Sequence, residues 1–240
     1  MLVKKIIPSF IKKKIHDYVD ERIKMYVEND RFRKLEAAID FCCYNEIPGN
    51  YLEFGVFGGN TFQHVFHYAQ KRKLFDMHFY AFDSFQGFSK PIGNDDVGII
   101  KQSGRTCSEK QFIDNMSKDY VDLNKVTVVP GWFSDVLTEE TKNNIKLKNK
   151  SSLVFIDCDL YEPTIDSLNF ITDLVVDGTV LIFDNFFYLK ANPDRGERKA
   201  FTEWKKQNPH IRVTEFLNVG WHGKAFILNF IHWPESESQD

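Results

Sequence analysis

Apolar positions change their spacing along the chain. Up to about residue 45 they recur at helical intervals among many charges, which predicts two helices over about 9–28 and 30–45. Beyond Pro48-Gly49 the pattern turns to short apolar runs alternating with helical stretches. Residues 51–56 are strand-like and end in glycines, and 61–73 read as a helix. A second strand, 78–82, ends at Asp83; a loop rich in Gly, Asp and Ser runs from Ser84 to about Thr106, then a helix to about Tyr120. Residues 125–129 form a third strand closed by Pro130-Gly131, and 153–156 a fourth with Asp157 at its end. A helix over 164–176 is broken by Asp177-Gly178, a fifth strand over 179–183 ends at Asp184, and 198–207 is helical. The runs 211–216 and 225–231 are β-like, joined by a turn at 218–223.

Short, all-apolar strands alternating with helices predict a mainly parallel sheet covered on both faces. The last two strands would add an antiparallel hairpin at one edge, giving a Rossmann-like α/β fold with a seven-stranded sheet and an N-terminal helical extension. The division expected is 1–47 for the extension and 48–240 for the catalytic domain.

In such sheets ligands bind beyond the carboxyl ends of the strands. Here the chemistry-bearing residues gather at those ends: Glu53 and Gly55, Asp83, Asp157, and Asp184-Asn185. The first turn reads Glu53-Phe-Gly55-Val-Phe-Gly58-Gly59, which departs from the dinucleotide pattern G-x-G-x-x-G. A carboxylate two residues before Gly55 would repel a pyrophosphate and attract an ammonium. S-adenosylmethionine carries an ammonium and a sulfonium and no phosphate. Asp83, at the end of the second strand, is placed to accept from ribose hydroxyls. Trp132 in Gly131-Trp132-Phe133 would flank the adenine, with Phe133 divided between that role and the core.

Asp157-Cys158-Asp159 and Asp184-Asn185 should converge, because the fourth and fifth strands are neighbours in this topology. Carboxylates and an amide oxygen at one point are the hard donor set of Mg²⁺ or Mn²⁺. A metal on a substrate hydroxyl lowers its pKa, and a neighbouring carboxylate, Asp157 or Asp159, takes the proton. The other reading is a hydrogen-bonded network without metal.

Composition narrows the classes. A net charge of −3 provides no global basic field to recruit nucleic acid. Cys42, Cys43, Cys107 and Cys158 have neither zinc nor disulfide spacing, which points to a reducing cytoplasm. No apolar run reaches the roughly 18 residues of a membrane span. The basic, amphipathic start, 1–27, reads as a surface helix, and the first 45 residues as a candidate homo-oligomer contact.

The segments YLEFGVFGGNTF, FYAFDSFQGF, VPGWFSDVL, VFIDCDLYEPT, VLIFDNFF and GERKAFTEW resemble, in order and spacing, the macrocin O-methyltransferase family. The resemblance covers about 48–231 and implies a class I S-adenosylmethionine-dependent enzyme that methylates a sugar hydroxyl, with a small-molecule or glycan acceptor. It implies Asp157, Asp184 and Asn185 as metal ligands, and Asp157 or Asp159 as base. Glu53, Gly55, Phe57, Gly58, Thr61, Asp83, Ser84, Trp132 and Asp157 are the cofactor-binding set. The family pattern has a second acid where this chain has Asn185, so the set is one negative charge short. Tyr161, Arg195 and His222 are candidates for the acceptor site, and Arg198 and Lys199 for an anion or a solvated helix face. The loop 84–106 is a candidate lid or subunit contact. A catechol-type enzyme acting on an aromatic diol is the alternative within the fold; a nicotinamide-dependent oxidoreductase and a non-catalytic scaffold are the alternatives from other classes.

Overall fold

The computed structural model describes residues 9–96 and 106–230. Residues 1–8 of the basic start, residues 97–105 of the long loop with Gly98 and Gly104, and Ile231 lie outside the described residues. The apolar runs form β1 (Asn50–Phe54), β2 (Phe79–Asp83), β3 (Val126–Pro130), β4 (Ser151–Ile156), β5 (Val175–Phe183), β6 (Ile211–Val219) and β7 (Gly223–Phe230). They pair in one seven-stranded sheet, ordered β3-β2-β1-β4-β5-β7-β6. β1 to β5 are mutually parallel, and β7 joins β5 and β6 antiparallel. The sheet is the one predicted, including the edge hairpin.

Burial on both faces explains the near-continuous apolar strands: every residue of β1 and of β4 is buried. Side chains alternate across the sheet. Tyr51, Phe79, Phe155 and Ile182 meet one helical layer; Phe54, Phe82, Ile156 and Phe183 meet the other. The first layer holds α1 (Ser9–Tyr44), α2 (Asn60–Lys71) and α3 (Glu109–Lys118). The second holds α5 (Glu139–Lys146), α6 (Tyr161–Ile171) and α7 (Gly196–Gln207). A single turn, α4 (Phe133–Val136), follows β3.

The differences from expectation have local causes. One helix, α1, replaces the two expected, because nothing between residues 28 and 30 breaks it: Asn29 and Asp30 are polar but neither Gly nor Pro. Its second half is core, with Leu35, Ala38, Ile39 and Cys42 at most 2% exposed. The helix expected to reach residue 176 stops at Ile171, because Val175 already pairs with Ser151. Asp177-Gly178 is then an irregularity inside β5 rather than its boundary. α5 was not anticipated, although Thr138 caps it by accepting from the Thr141 N–H and Glu139-Glu140 favour its first turn. Among the described residues no helix is long and apolar enough to cross a membrane.

Candidate active site

The parallel register places the functional residues. Val129, Phe82, Phe54, Ile156 and Phe183 lie in one row across five strands. The next residue of each chain therefore lines up at the carboxyl edge: Pro130, Asp83, Gly55, Asp157 and Asp184. One further ladder bond each holds Gly55 N–H on the Phe82 carbonyl (2.8 Å), Asp157 N–H on Phe54 (2.9 Å) and Asp184 N–H on Ile156 (2.9 Å). The chain reverses direction of growth between β1 and β4, and the cavity opens at that switch point.

The cavity has a volume of about 550 Å³. Gly55, Phe57, Asp83, Ser84, Trp132 and Asp157 line it, together with Cys158, Phe133 and Pro163. Gly55 has φ +91°, and a Cβ there would overlap the Asp157 carbonyl oxygen, so the turn admits glycine alone. Asp83 ties the two walls together: its Oδ2 accepts from Phe57 N–H (2.8 Å) and its Oδ1 from Phe85 N–H (2.7 Å). Ser84 Oγ turns away to donate to the Gly87 carbonyl (3.1 Å). Phe133 lines the cavity and also packs edge-on against Phe54, so it belongs to the core as well as to the cavity wall. Phe85, Phe88, Thr106 and Cys107 complete the wall from the long loop. Phe85 and Phe88 lie within the FYAFDSFQGF segment, whereas Thr106 and Cys107 belong to no motif and act through loop position rather than type.

Glu53, Gly58 and Thr61 do not line this cavity. Glu53 is 1% exposed and faces the α1 layer, as alternation from Tyr51 requires, and accepts from Tyr51 Oη (2.6 Å). Burial lifts its carboxyl to about 8, although the Tyr51 hydrogen bond and Arg31 both pull it down. Gly58 borders a separate depression beside Asn60 and Asn115. Thr61 is buried at the start of α2.

At the ends of β4 and β5 the acids converge. Asn185 Nδ2 donates to Asp157 Oδ1 (3.1 Å). Arg31, from α1, donates through Nη1 to Asp184 Oδ2 (3.2 Å). Asp184 Oδ1 is buried without a hydrogen-bond partner. Burial and then the Asp184 and Asp159 charges push the Asp157 carboxyl well above the carboxylate range. Burial and Asp184 likewise raise Asp159 to about 7. Burial opposes the Arg31 charge, yet Asp184, Asp157, Glu53 and Glu28 together raise its pKa.

Two supports escaped the sequence. Glu197, 1% exposed, accepts from Asn185 N–H (2.9 Å) and Cys158 N–H (3.3 Å), fastening the two strand ends together. It sits in the GERKAF segment beside Arg198 and Lys199. Asp95, 2% exposed, accepts from Tyr161 N–H (2.7 Å) and Gly196 N–H (2.9 Å). It thereby caps α6 and α7 and pins the first half of the long loop. Neither it nor Arg31 carried a local signal, since each acts on residues remote in sequence.

The remaining candidates are placed as follows. Tyr161 Oη donates to Glu203 (2.6 Å), with the Lys199 ammonium 3.5 Å from its ring centroid. Arg198 donates to the Ala191 carbonyl, so neither Arg198 nor Lys199 is a free solvated charge. Arg195 precedes α7 without a capping side-chain bond. His222 is buried, its Nδ1 on the Asp184 carbonyl, behind the acid cluster.

The fold is shared with solved O-methyltransferases. NovP matches with a TM-score of 0.68 at 21% identity, over 82% of this chain and 79% of that one. CalS11, the calicheamicin methyltransferase, matches with a TM-score of 0.66 at 19% identity, over 93% and 87%. An O-methyltransferase of Bacillus cereus in complex with SAH matches with a TM-score of 0.52 at 15% identity, over 94% and 92%. No curated protein matches at significance. The macrocin O-methyltransferase (TylF) family matches residues 16–223. With the aligned strand ends and the cavity at the switch point, that match settles the assignment: the chain belongs to the macrocin O-methyltransferase family of S-adenosylmethionine-dependent O-methyltransferases.

Proposed function

We propose that the enzyme transfers a methyl group from S-adenosylmethionine to a sugar hydroxyl of a glycoside, nucleotide sugar or surface polysaccharide, with a divalent metal at the acid cluster. The observation that carries this is the single row of strand ends, in which the cavity beside Gly55 and Asp83 adjoins the carboxylates of Asp157 and Asp184. CalS11 is a TDP-rhamnose 3′-O-methyltransferase, which supports a sugar acceptor.

Asp83 would accept from the ribose hydroxyls, and Trp132 and Phe133 would flank the adenine. Glu53, beneath the floor and protonated by its burial, makes no contact with the cavity and supports the turn through its bond with Tyr51. Asp157 lines the cavity and reaches the acid cluster, so it stands where the methyl donor and the acceptor hydroxyl must meet.

The donor set fits a hard cation. Asp184 has a buried, unpartnered oxygen, and Asp157 and Asn185 lie beside each other at 3.1 Å. Among the described residues no three of His, Cys, Asp and Glu stand close enough to hold a metal, and in this reading the Asn185 amide would join Asp157 and Asp184 as the third protein ligand. Bound there, Mg²⁺ or Mn²⁺ would make the acceptor hydroxyl more acidic. Asp159, held in a left-handed conformation (φ +59°) on the cluster's rim, then takes the proton. The exposed Ile15, Tyr18, Ile23 and Tyr26 on the outer half of α1 support self-association through that helix. The free cysteines suit a cytoplasmic enzyme.

Calorimetry with S-adenosylmethionine and with NAD tests the cofactor, and binding of NAD alone would overturn the reading. Asp159→Ala should lower turnover by about 10²–10⁴-fold, the range of a lost proton-transfer group, and Asp157→Ala should also lose turnover while cofactor still binds. EDTA should abolish activity and Mg²⁺ restore it; full activity of Asp184→Ala would exclude the metal.

A further inference from the structure

We infer that Arg31 and the divalent cation compete for Asp184, so that helix α1 sets the metal affinity of the site. This rests on the metal reading above. Arg31 lies 153 residues from Asp184 in sequence, yet it forms the one salt bridge made to Glu53, Asp157, Asp159 or Asp184 among the described residues. Its position is imposed from both sides. One residue earlier, Asp30 Oδ2 accepts from Gly220 N–H in the β6–β7 turn (2.8 Å). One turn earlier, Glu28 accepts from the Asn60 amide at the head of α2. This turn of α1 is therefore clamped between the hairpin and the glycine turn, with the guanidinium over the strand ends.

The contact itself is half made. A satisfied arginine–carboxylate pair is a two-bond fork. Here a single bond of 3.2 Å joins Nη1 to Oδ2. Arg31 Nε and Asp184 Oδ1 are both buried with no hydrogen-bond partner. Stranded donors and acceptors are costly, so this pairing can be exchanged for one that satisfies both groups. A cation on the unpartnered Asp184 Oδ1 would share its carboxylate with Arg31 and stand close to a like charge, which weakens it. Asn185 deepens the effect: an acid at that position would add the negative charge needed to hold both cations at once. With an amide there, Arg31 already neutralises Asp184.

Mn²⁺ binding to the full chain tests this, measured by calorimetry and by the paramagnetic resonance of the free ion. Arg31→Gln should bind Mn²⁺ about ten-fold or more tightly than the unaltered protein, the scale on which a neighbouring charge shifts a carboxylate's own equilibrium. Arg31→Lys, which keeps the charge, should stay near the unaltered affinity. If the unaltered chain binds Mn²⁺ and Arg31→Gln binds it equally or more weakly, Arg31 is a buttress for Asp184 and the competition is refuted, while the metal reading stands. If neither binds, both fall together. Should Arg31→Gln fail to fold, the arginine Nε–H resonances of the unaltered protein decide. Titrating Mg²⁺ should shift the Arg31 signal and speed its solvent exchange, whereas a signal unmoved at Mg²⁺ saturation refutes the competition.

Discussion

The two sides of the switch point are built by different means. On the β1–β2 side the backbone does the shaping: a left-handed Gly55, and an Asp83 carboxylate closed by two main-chain amides. On the β4–β5 side, side chains do it. Arg31 reaches in from α1, Asn185 crosses to Asp157, and Glu197 ties both strand ends from α7. A backbone-built half tolerates no change in its few special positions. A half built from side chains distributes its geometry over residues that can be adjusted one at a time.

That contrast can be broken or sharpened in order of effect. Gly55→Ala should be the most severe: forcing a Cβ into a left-handed turn against a carbonyl costs at least about 2 kcal/mol. Thermal denaturation and calorimetry should show a less stable chain that no longer binds S-adenosylmethionine, and a variant with unaltered affinity would refute the backbone account. Glu197→Ala should act on the other half alone. Loss of a buried support behind functional carboxylates lowers activity about 10–100-fold, and here cofactor affinity should change little. Steady-state kinetics beside calorimetry separates the two, and an equal loss in both would erase the distinction between the halves.

Asp95→Ala comes next. It removes one cap from each of two helices, about 0.5–2 kcal/mol apiece, and frees the loop that supplies Phe85 and Phe88. Limited proteolysis within 84–106 should quicken several-fold, about what a loss of 1 kcal/mol of local stability implies. Unchanged cleavage would show that Asp95 does not restrain the loop.

The last effect is on pH dependence. Glu53 is neutral in the folded chain up to about pH 8 but ionises near its ordinary value when unfolded. The folded state therefore binds the extra proton between roughly pH 4.5 and 8, and stability falls as pH rises through that window. Glu53→Gln should flatten this slope in denaturant titrations at several pH values, and an identical slope would place the titration elsewhere.

Legibility followed the same division. Gly55, Asp83, Asp157 and Asp184 were recognisable because strand periodicity sets where each strand ends, and in a parallel sheet those ends share an edge. Phe57 and Trp132 followed from adjacency to such ends. The outer loop residues Thr106 and Cys107 were not recognisable, since a cavity wall asks only for a surface of the right shape. Arg198 and Lys199 were read as free charges because their partners, the Ala191 carbonyl and the Tyr161 ring, become neighbours only after α7 docks.

By itself, then, the sequence determined the order of strands and helices, the glycine turn, and the acids at the carboxyl edge. All of these depend on local periodicity and on conformations that only certain residues adopt. The tertiary structure decided that α1 is one helix with half its length in the core, that Arg31 lands on Asp184, and that Glu197 and Asp95 lock the site from behind. The Arg31 contact joins residues 153 positions apart, the Asp95 contacts 66 and 101, and those of Glu197 12 and 39, each across separate elements, and no local pattern encodes such pairings.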